Sequence, residues 1–562
     1  MPVHSRSRRA APVAFVPAEY QQTRTRPRIV TAPVTPSLVE TPLRPSHTAP
    51  TAVAALAALV GAAVRGSPSE ISPVKISPVK ISDQTMVTGI TLRAQQALPG
   101  DLFVALPSLI PGRAHGADFA GIALRAGALA VLTDPVGAHR PALVAAIACR
   151  PGIPVLVHPD PRSVLGNLST RVYGNPSTRL AVLGITGTAG KTTTAYLLEA
   201  GLRAAGAHTG LLGTVAARIG EALLPSTFTT PEAPQLQALL AMMVERGVTH
   251  VPIEVSSHAL VLGRVSGTKF AVGAFTNLSQ DHLDFHTDLE DYFAAKAMLF
   301  DGRASAEVVC IDDVWGQRLV TGKTTTVSRS GDATWRATEI SAQHSGTQEF
   351  RARGPSGFDQ RVAVRLPGAF NVTNALLALA VGHTAGADPV LLARGIGTAE
   401  VPGRMQRVDR GQGFVALVDY AHKPAAVAAL LDAVRAQVPG RLLVVLGCGG
   451  DRDTAKRPLM GAQAAQRADL LVITDDNPRT EDPAAIRAAM LTGARVGPAE
   501  VVELGDRAEA IAYAVTRARP GDAVVVAGKG HESAQEVHGV KHPFVDADVL
   551  ADLLDRMLGV DP

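Results

Sequence analysis

The chain has 562 residues, 46% of them hydrophobic and 19% charged, which is enough for about three or four domains with sizeable cores. Its 54 Lys and Arg stand against 50 Asp and Glu, and much of the basic excess lies in an arginine-rich N-terminus, so charge gives no reason to expect nucleic-acid binding. Cys149, Cys310 and Cys448 lie too far apart for a disulfide framework or a zinc set, as suits a reducing cytoplasm, and no apolar run reaches the roughly 18 residues of a membrane span.

Residues 1–48 are rich in Pro, Thr, Ser and Arg, with Arg6, Arg8, Arg9, Arg24, Arg26 and Arg28, and show no hydrophobic period. They are read as a disordered tail that buries too little apolar surface to offset its ordering entropy. A basic arm toward an acidic partner is the lesser alternative. The Ala-rich run from Ala52 to Val64 lies too deep for a signal peptide and is expected to form a small amphipathic helix opening the first domain. From Ile71 to Lys80 the sequence Ile-Ser-Pro-Val-Lys occurs twice; each Pro forbids a central strand, so this is expected to be an extended linker. Val87 to Leu92 and Leu98 to Leu106 read as strand, turn, strand. A helix over Ala117 to Ala126 and a strand over Ala130 to Thr133 follow, and Leu143 to Ala148 and Ile153 to Val157 continue the alternation. Residues 49–179 are thus expected to form an α/β domain.

The second domain, expected over 180–402, opens with an apolar strand from Leu180 to Leu183, the turn Gly184-Ile-Thr-Gly-Thr-Ala-Gly-Lys-Thr-Thr-Thr194, and a helix from Ala195 to Ala204. Strand, glycine-rich turn, lysine, hydroxyl and helix form a nucleotide-triphosphate loop. Gly187 and Gly190 let backbone N–H groups approach phosphate, Lys191 can reach the β/γ-phosphates, and Thr192 can offer its hydroxyl to Mg²⁺. Ile185 stands where the general P-loop pattern wants a glycine. Thr229-Thr230-Pro-Glu232 is a hydroxyl loop before a helix, either an N-cap or an anion site. A strand from Val251 to Val255 carries Glu254, either a second Mg²⁺ contact or a core carboxylate paired with an arginine. Asn277 to His286 is the densest polar stretch, with Asp281, His282, Asp284 and His286, followed by Tyr292 and Lys296. Metal or acid–base work suits it, whereas zinc lacks a Cys or a spaced His pair; taken alone, Lys296 reads as a solvated helix lysine. Residues 301–360 alternate short strands with polar turns. Asn371 and Asn374 share one face of a helix running to about Gly382.

From Val401-Pro-Gly403-Arg404 the chain passes to a third domain, expected over 403–562. Strands are expected at Phe414 to Val418, Leu442 to Leu446, Leu470 to Ile473 and Ala523 to Val526. Each is followed by a polar cluster and then, by expectation, a helix. The clusters are Asp419 to Pro424, Gly447 to Asp453, Thr474 to Arg479, and Ala527 to Glu532. That alternation gathers them at the carboxyl edge of a parallel sheet, where doubly wound folds bind ligands. The glycines do not follow G-x-G-x-x-G, so NAD is not expected. Arg452 and Arg479 suit bidentate carboxylate binding and Glu532 suits an ammonium, which together fit a diamino diacid.

Three stretches carry a resemblance: Gly187-Thr-Ala-Gly-Lys-Thr-Thr193; Asp281-His-Leu-Asp-Phe-His286 with Glu290-Asp-Tyr-Phe-Ala-Ala-Lys296; and Asp476-Asn-Pro-Arg479. They resemble the Mur ligases, the amino-acid ligases of peptidoglycan synthesis, whose loop is shared with folylpolyglutamate synthetases. The match runs from about Val87 to Glu532. It implies an α/β fold of three domains: an N-terminal uridine-nucleotide-binding domain, a central P-loop ATPase-like parallel-sheet domain, and a C-terminal Rossmann-like domain. It implies ATP and Mg²⁺ at Gly187, Thr188, Ala189, Gly190, Lys191, Thr192 and Thr193, with Asn371, Asn374 and Arg404 also on the nucleotide. Glu254, His282 and Lys296 would join Thr192 around the metal, with Lys296 carbamylated by CO₂ (an N6-carboxylysine). Lys191, His282 and Lys296 would be catalytic.

The same resemblance implies that Leu92, Thr229, Thr230, Ser256, Leu262 and Arg264 meet a UDP-N-acetylmuramoyl-L-Ala-D-Glu acceptor. Two of its contacts are altered: Arg93-Ala94-Gln95 replaces the family's Asp-Ser-Arg, and Leu262 stands where some members have Gln. Arg452, Asp476, Asn477, Pro478, Arg479, Gly528 and Glu532 would take meso-diaminopimelate. The implied activity is ATP-driven amide formation through an acyl phosphate, by a cytoplasmic monomer with no membrane insertion. A lysine-adding sister should lack Arg479, and a folylpolyglutamate synthetase should lack the uridine domain. A P-loop switch protein would leave Arg452, Arg479 and Glu532 without a role. An inactive scaffold would have to explain an intact catalytic set.

Overall fold

A computed structural model describes residues 43–65, 84–110, 112–224, 228–343 and 346–559. The Ile71 to Lys80 repeat and residues 1–42 of the expected tail lie outside the described residues. The end of that tail is a correction. Arg44 pairs with Asp101 at 2.9 Å and donates to the Ile90 carbonyl, while the Ser46 and His47 amides donate to the Glu245 carboxylate at 2.9 and 2.8 Å. Polar anchors, which a hydrophobicity pattern does not register, fix this stretch.

The first domain holds a five-stranded sheet in the order Ala63–Arg65, Val155–Val157, Ala130–Thr133, Asp101–Ala105, Gly89–Thr91. Only the first pair is antiparallel. Every residue of the three middle strands is buried, as expected for parallel strands covered on both faces. The helix expected from Ala52 to Val64 is shorter. It spans Val53–Val60 and ends at Gly61, whose φ of 64° closes it through amide bonds to Ala57 and Ala58 carbonyls. The rest of that run becomes the edge strand Ala63–Arg65.

The central domain has an eleven-stranded sheet. Seven strands run parallel, in the order Gly210–Leu212, His250–Glu254, Ala181–Thr186, Phe270–Phe275, Ala304–Cys310, Thr324–Ser328 and Trp335–Ala342. Antiparallel strands extend both edges. The polar 301–360 region therefore supplies whole strands of this sheet. Register decides what meets at its carboxyl edge: Glu254 lies opposite Ile185, and Thr186 opposite Phe275. The glycine loop, Glu254 and the Thr276–Asn277 turn thus emerge side by side. The helix Lys191–Ala204 packs on Ala369–Thr384 and Pro389–Ile396.

The third domain holds a six-stranded sheet in the order Gln406–Arg407, Val415–Asp419, Ala523–Ala527, Leu442–Leu446, Leu470–Ile473, Glu500–Glu503. All pairs but the first are parallel. Helices follow three of the four polar clusters. After Ala527–Glu532 the expected helix is absent. A hairpin, Ala534–Val537 with Val540–Pro543, stands there. His538 and Gly539 both adopt positive φ, 49° and 77°, the backbone that a two-residue hairpin turn of matching twist requires. Beneath this edge, Arg507 makes two 2.7 Å bonds to Asp546, both fully buried, and donates to the Asp475 and Ala527 carbonyls. Among the described residues, no helix is long and apolar enough to cross a membrane.

Candidate active site

The glycine loop is shaped by its glycines and pinned by the next strand. Gly187 and Gly190 have φ of 142° and 87°, and a Cβ on either would strike the Thr276 hydroxyl or the Asn374 carboxamide. Thr188 N donates to Asn277 O at 2.8 Å, Ala189 N to Asn277 Oδ1 at 3.0 Å, and Thr276 Oγ1 to Ala189 O at 2.7 Å. The helix that follows has no side-chain cap, so the amides of its first turn remain available to an anion. Lys191 folds back over the loop, donating to Gly187 O and Thr188 O at 2.9 Å each. Burial pulls its ammonium down to about 8, with Glu254 opposing the fall. Thr192 and Thr193 are buried in the first helical turn.

Glu254 is 1% exposed. It accepts from Thr192 Oγ1 at 2.9 Å, Thr214 N at 2.8 Å and Thr214 Oγ1 at 3.2 Å. Its partners are hydroxyls and an amide, not the arginine of a core ion pair. Lys296, on the helix Leu289–Ala297, is also 1% exposed, so the solvated-lysine alternative is corrected. Its Nζ donates to Gly187 O at 2.7 Å and lies 4.3 Å from the Tyr292 ring centroid. Among the described residues it has no carboxylate partner. Burial, then the neighbouring Lys191, hold it well below the ordinary lysine value.

His282 has a φ of 53°, a left-handed backbone uncommon for a non-glycine residue. Its Nε2 lies 3.1 Å from Asp281, and its ring meets His258 edge-on at 4.9 Å. Burial pulls it down to about 4, leaving the imidazole neutral at pH 7. Among the described residues, no three His, Cys, Asp or Glu side chains converge to hold a metal. Asn371 and Asn374 are both buried. Asn374 bonds Asn371 at 3.0 Å, and its Oδ1 lies 3.5 Å from Thr194 Oγ1.

Next to Glu254 lies a second polar group. Thr230 Oγ1 donates to Glu254 O at 2.8 Å and accepts from Ser256 N at 3.2 Å; Thr229 Oγ1 is 3.0 Å from Thr214 Oγ1. Neither threonine caps the following helix, whose N-cap is Glu232. Ser256 caps Ser257–Val261 instead. Arg264 pairs with Glu232 at 3.0 Å and donates to Thr230 O at 3.3 Å, and half-buried Leu262 ends the same short helix. Leu92 sits apart, half-buried at the end of Gly89–Thr91 and packed against the first-domain core.

Arg404 reaches over from the start of the third domain. Its NH2 lies 3.5 Å from Thr192 Oγ1, and its guanidinium covers the Tyr420 ring at 4.3 Å. At the third-domain edge, Asn477 Nδ2 donates to Glu532 at 2.6 Å, and Asn477 Oδ1 accepts from Lys529 Nζ at 3.2 Å and Glu536 N at 2.9 Å. Lys529 is fully buried and also bonds Glu532 at 3.1 Å and Ala534 O at 2.7 Å. Asp476 is buried, which pushes its carboxyl up, and Gly528, at φ 111°, leaves it room. Pro478 backs onto Gly450. Arg479, at φ 53°, donates to Gly450 O and lies 3.8 Å from Glu536. Arg452 is exposed and, among the described residues, makes no hydrogen bond or ion pair.

Sequence reasoning missed Thr214, and it placed Lys529 in a strand-end cluster without giving it a role. Lys529 had a signal, a lysine between two glycines at a strand end. Thr214 had none, since only the fold brings it to Glu254.

Two family models match the chain: the Mur ligase middle domain over residues 185–382, and the Mur ligase, glutamate ligase domain over 403–530. The UDP-N-acetylmuramoyl-L-alanyl-D-glutamate–2,6-diaminopimelate ligase of Corynebacterium glutamicum is 53% identical over 81% of this chain and 90% of its own. The protein of the same name from Streptomyces coelicolor is 51% identical over 84% of this chain and 93% of its own. A solved structure of a ligase with that name superposes with a TM-score of 0.62 at 33% identity, covering 88% of this chain and 99% of that one.

Proposed function

The chain belongs to the Mur ligase family, and from that premise we propose that it joins meso-2,6-diaminopimelate to the D-glutamyl carboxylate of UDP-N-acetylmuramoyl-L-alanyl-D-glutamate, consuming ATP. The observation that carries this is the meeting of an uncapped P-loop helix, buried Glu254 and buried Lys296, with Arg404 arriving from the domain that bears the arginine-rich edge. The names of relatives about half identical to the chain support the choice of acceptor and amine.

A carboxylate resists attack by an amine because its oxygen is a poor leaving group. Transfer of ATP's γ-phosphoryl to that oxygen gives an acyl phosphate and ADP. The amine then attacks the carbonyl carbon, the C–O bond to phosphate breaks, and the nitrogen releases a proton. Lys191 and the first-turn amides would hold the β- and γ-phosphates, with Gly187, Thr188, Ala189, Gly190 and Thr193 framing them and Asn371 and Asn374 near the adenine. Mg²⁺, when bound, spreads the charge of the transferring phosphoryl. The oxygen donors of Thr192 and Glu254, 2.9 Å apart, fit its preference for hard ligands.

Lys296, buried and among the described residues without a carboxylate partner, favours the neutral amine. Its nitrogen would add to CO₂ and lose a proton, giving a carbamate whose oxygens, with neutral His282, complete the set. Thr229, Thr230, Ser256, Leu262 and Arg264 would line the muramoyl-peptide path, and Leu92 would meet the nucleotide sugar. Arg452 and Arg479 would take the amino acid's carboxylates and Glu532 its ammonium, framed by Asp476, Asn477, Pro478 and Gly528. Limits of 180–402 and 403–562 for the central and third domains fit this division, and we assign a cytoplasmic monomer.

The test is ADP release with the UDP-muramoyl-dipeptide and a panel of amines. Turnover with diaminopimelate well above lysine is expected. Equal use of both would overturn the amine assignment, and no ADP with any amine would overturn ligation.

A further inference from the structure

The third domain touches the catalytic groups of the central domain through a second cation besides Arg404. The loop after Val415–Asp419 is held rigidly: Asp419 accepts from Met405 N at 2.7 Å and Ala421 N at 2.8 Å, and Lys456 Nζ donates to His422 O at 3.0 Å. Its last residue, Lys423, immediately precedes the helix Pro424–Arg435 and is not tied to that helix by a side-chain cap. The side chain instead leaves its own domain and pairs with Asp281, 142 residues earlier in sequence. Both members are shielded, with side chains 29% and 12% exposed. Among the described residues, Asp281 has one other close partner, His282 Nε2 at 3.1 Å. His282 is the residue of this loop held in the left-handed backbone region, a conformation that surrounding contacts must sustain. The order of contacts is therefore Lys423, Asp281, His282, running from one domain into the other.

We propose that Lys423 is a positioning residue for ligation: by gripping Asp281 across the cleft it holds His282 in its working place only while the third domain is docked, so that phosphoryl transfer waits for closure. This rests on the ligase reading above. An acyl phosphate formed in an open cleft would be lost to water, so a contact that links the amine-bearing domain to the phosphoryl site protects the intermediate. Arg404 reaches the phosphate-loop hydroxyl Thr192 from the same docked domain, whereas Lys423 acts on the other wall of the site.

The full chain is assayed for ADP release at saturating ATP, UDP-muramoyl-dipeptide and diaminopimelate, comparing native enzyme with Lys423→Met, Lys423→Gln, Lys423→Arg, Asp281→Asn and the Lys423→Met/Asp281→Asn double variant. Both neutral variants should lose about tenfold or more in kcat while KM for ATP stays within about threefold, since the lost interaction matters at the chemical step. Lys423→Arg should recover most of the rate. In the double variant the two losses should not multiply, because both remove one contact. A role confined to stability would lower Tm without that split between kcat and KM. An unchanged kcat in both neutral variants, or losses that multiply, would overturn the latch while native turnover keeps the ligase reading intact. A native enzyme that releases no ADP would overturn both.

Discussion

The two sheet edges that face each other in this molecule hold charge in opposite ways. At the P-loop edge the donors are unspent: the helix start is uncapped and, among the described residues, Lys191 bonds only backbone carbonyls and Lys296 has a carbonyl and an aromatic face but no anion. At the third-domain edge a core of charges is already matched, with Lys529, Glu532 and Asn477 bonded to one another and Arg507 sealed on Asp546, while exposed Arg452 stands outside it. The difference follows from what each edge must receive. A polyphosphate brings several negative charges and needs donors left free for it. A zwitterionic amino acid brings both signs, so a neutral, prearranged network can take it by exchanging partners one for one.

That contrast can be broken most sharply on the unspent side. Lys296→Ala should abolish ligation, about a thousandfold or more in kcat, with partial recovery on adding a short carboxylic acid to replace the carbamate oxygens. ADP release measures it, and a native rate in Lys296→Ala would remove the lysine from the chemistry. On the matched side the effect should be smaller and selective. Arg479→Ala should cost diaminopimelate, but not lysine, about 2–4 kcal/mol in kcat/KM, as for truncating one side of a buried charged contact. Equal losses for both amines would contradict it.

Lys529→Met should act on structure first. Removing a buried ammonium with three bonds leaves Glu532 and Asn477 under-partnered, at about 2–3 kcal/mol of stability, read as a lower Tm together with a raised KM for the amine. An unchanged Tm would mean the network is not prearranged. Acid acts by degrees, and just below pH 6.5 its effect is the smallest of these. His422 and His531 are pulled down by burial to about 3 and about 4. Below pH 6.5 the unfolded chain takes up protons that these folded histidines refuse, so stability falls as pH drops from 6.5 toward those values and then levels off. A Tm–pH profile flat across that window would contradict their burial as neutral rings.

Much of the architecture was legible because parallel strands buried on both faces read as uninterrupted apolar runs, as at Leu442–Leu446 and Ala523–Ala527. The glycine loop was legible because its backbone leaves little choice of residue. Other features depend on distant partners. Lys296 looks like any helix lysine until Tyr292 and the Gly187 carbonyl enclose it. The environment of Glu254 is set by Thr214, 40 residues away. The hairpin after Glu532 and the strands of 301–360 carry polar, half-exposed residues whose period is weak, and Arg44 and Ser46 are ordered by a pair of polar contacts each. Sequence patterning registers burial of faces; it does not register which polar groups meet when those faces pack.

The most direct measurement is ADP formation by the full chain supplied with ATP, Mg²⁺, CO₂, the UDP-muramoyl-dipeptide and diaminopimelate, each omitted in turn. Release that needs the nucleotide, the metal, the acceptor and the amine together, and declines when CO₂ is stripped, is the predicted result. ADP that appears at the same rate without the acceptor, or never appears with everything present, would contradict it.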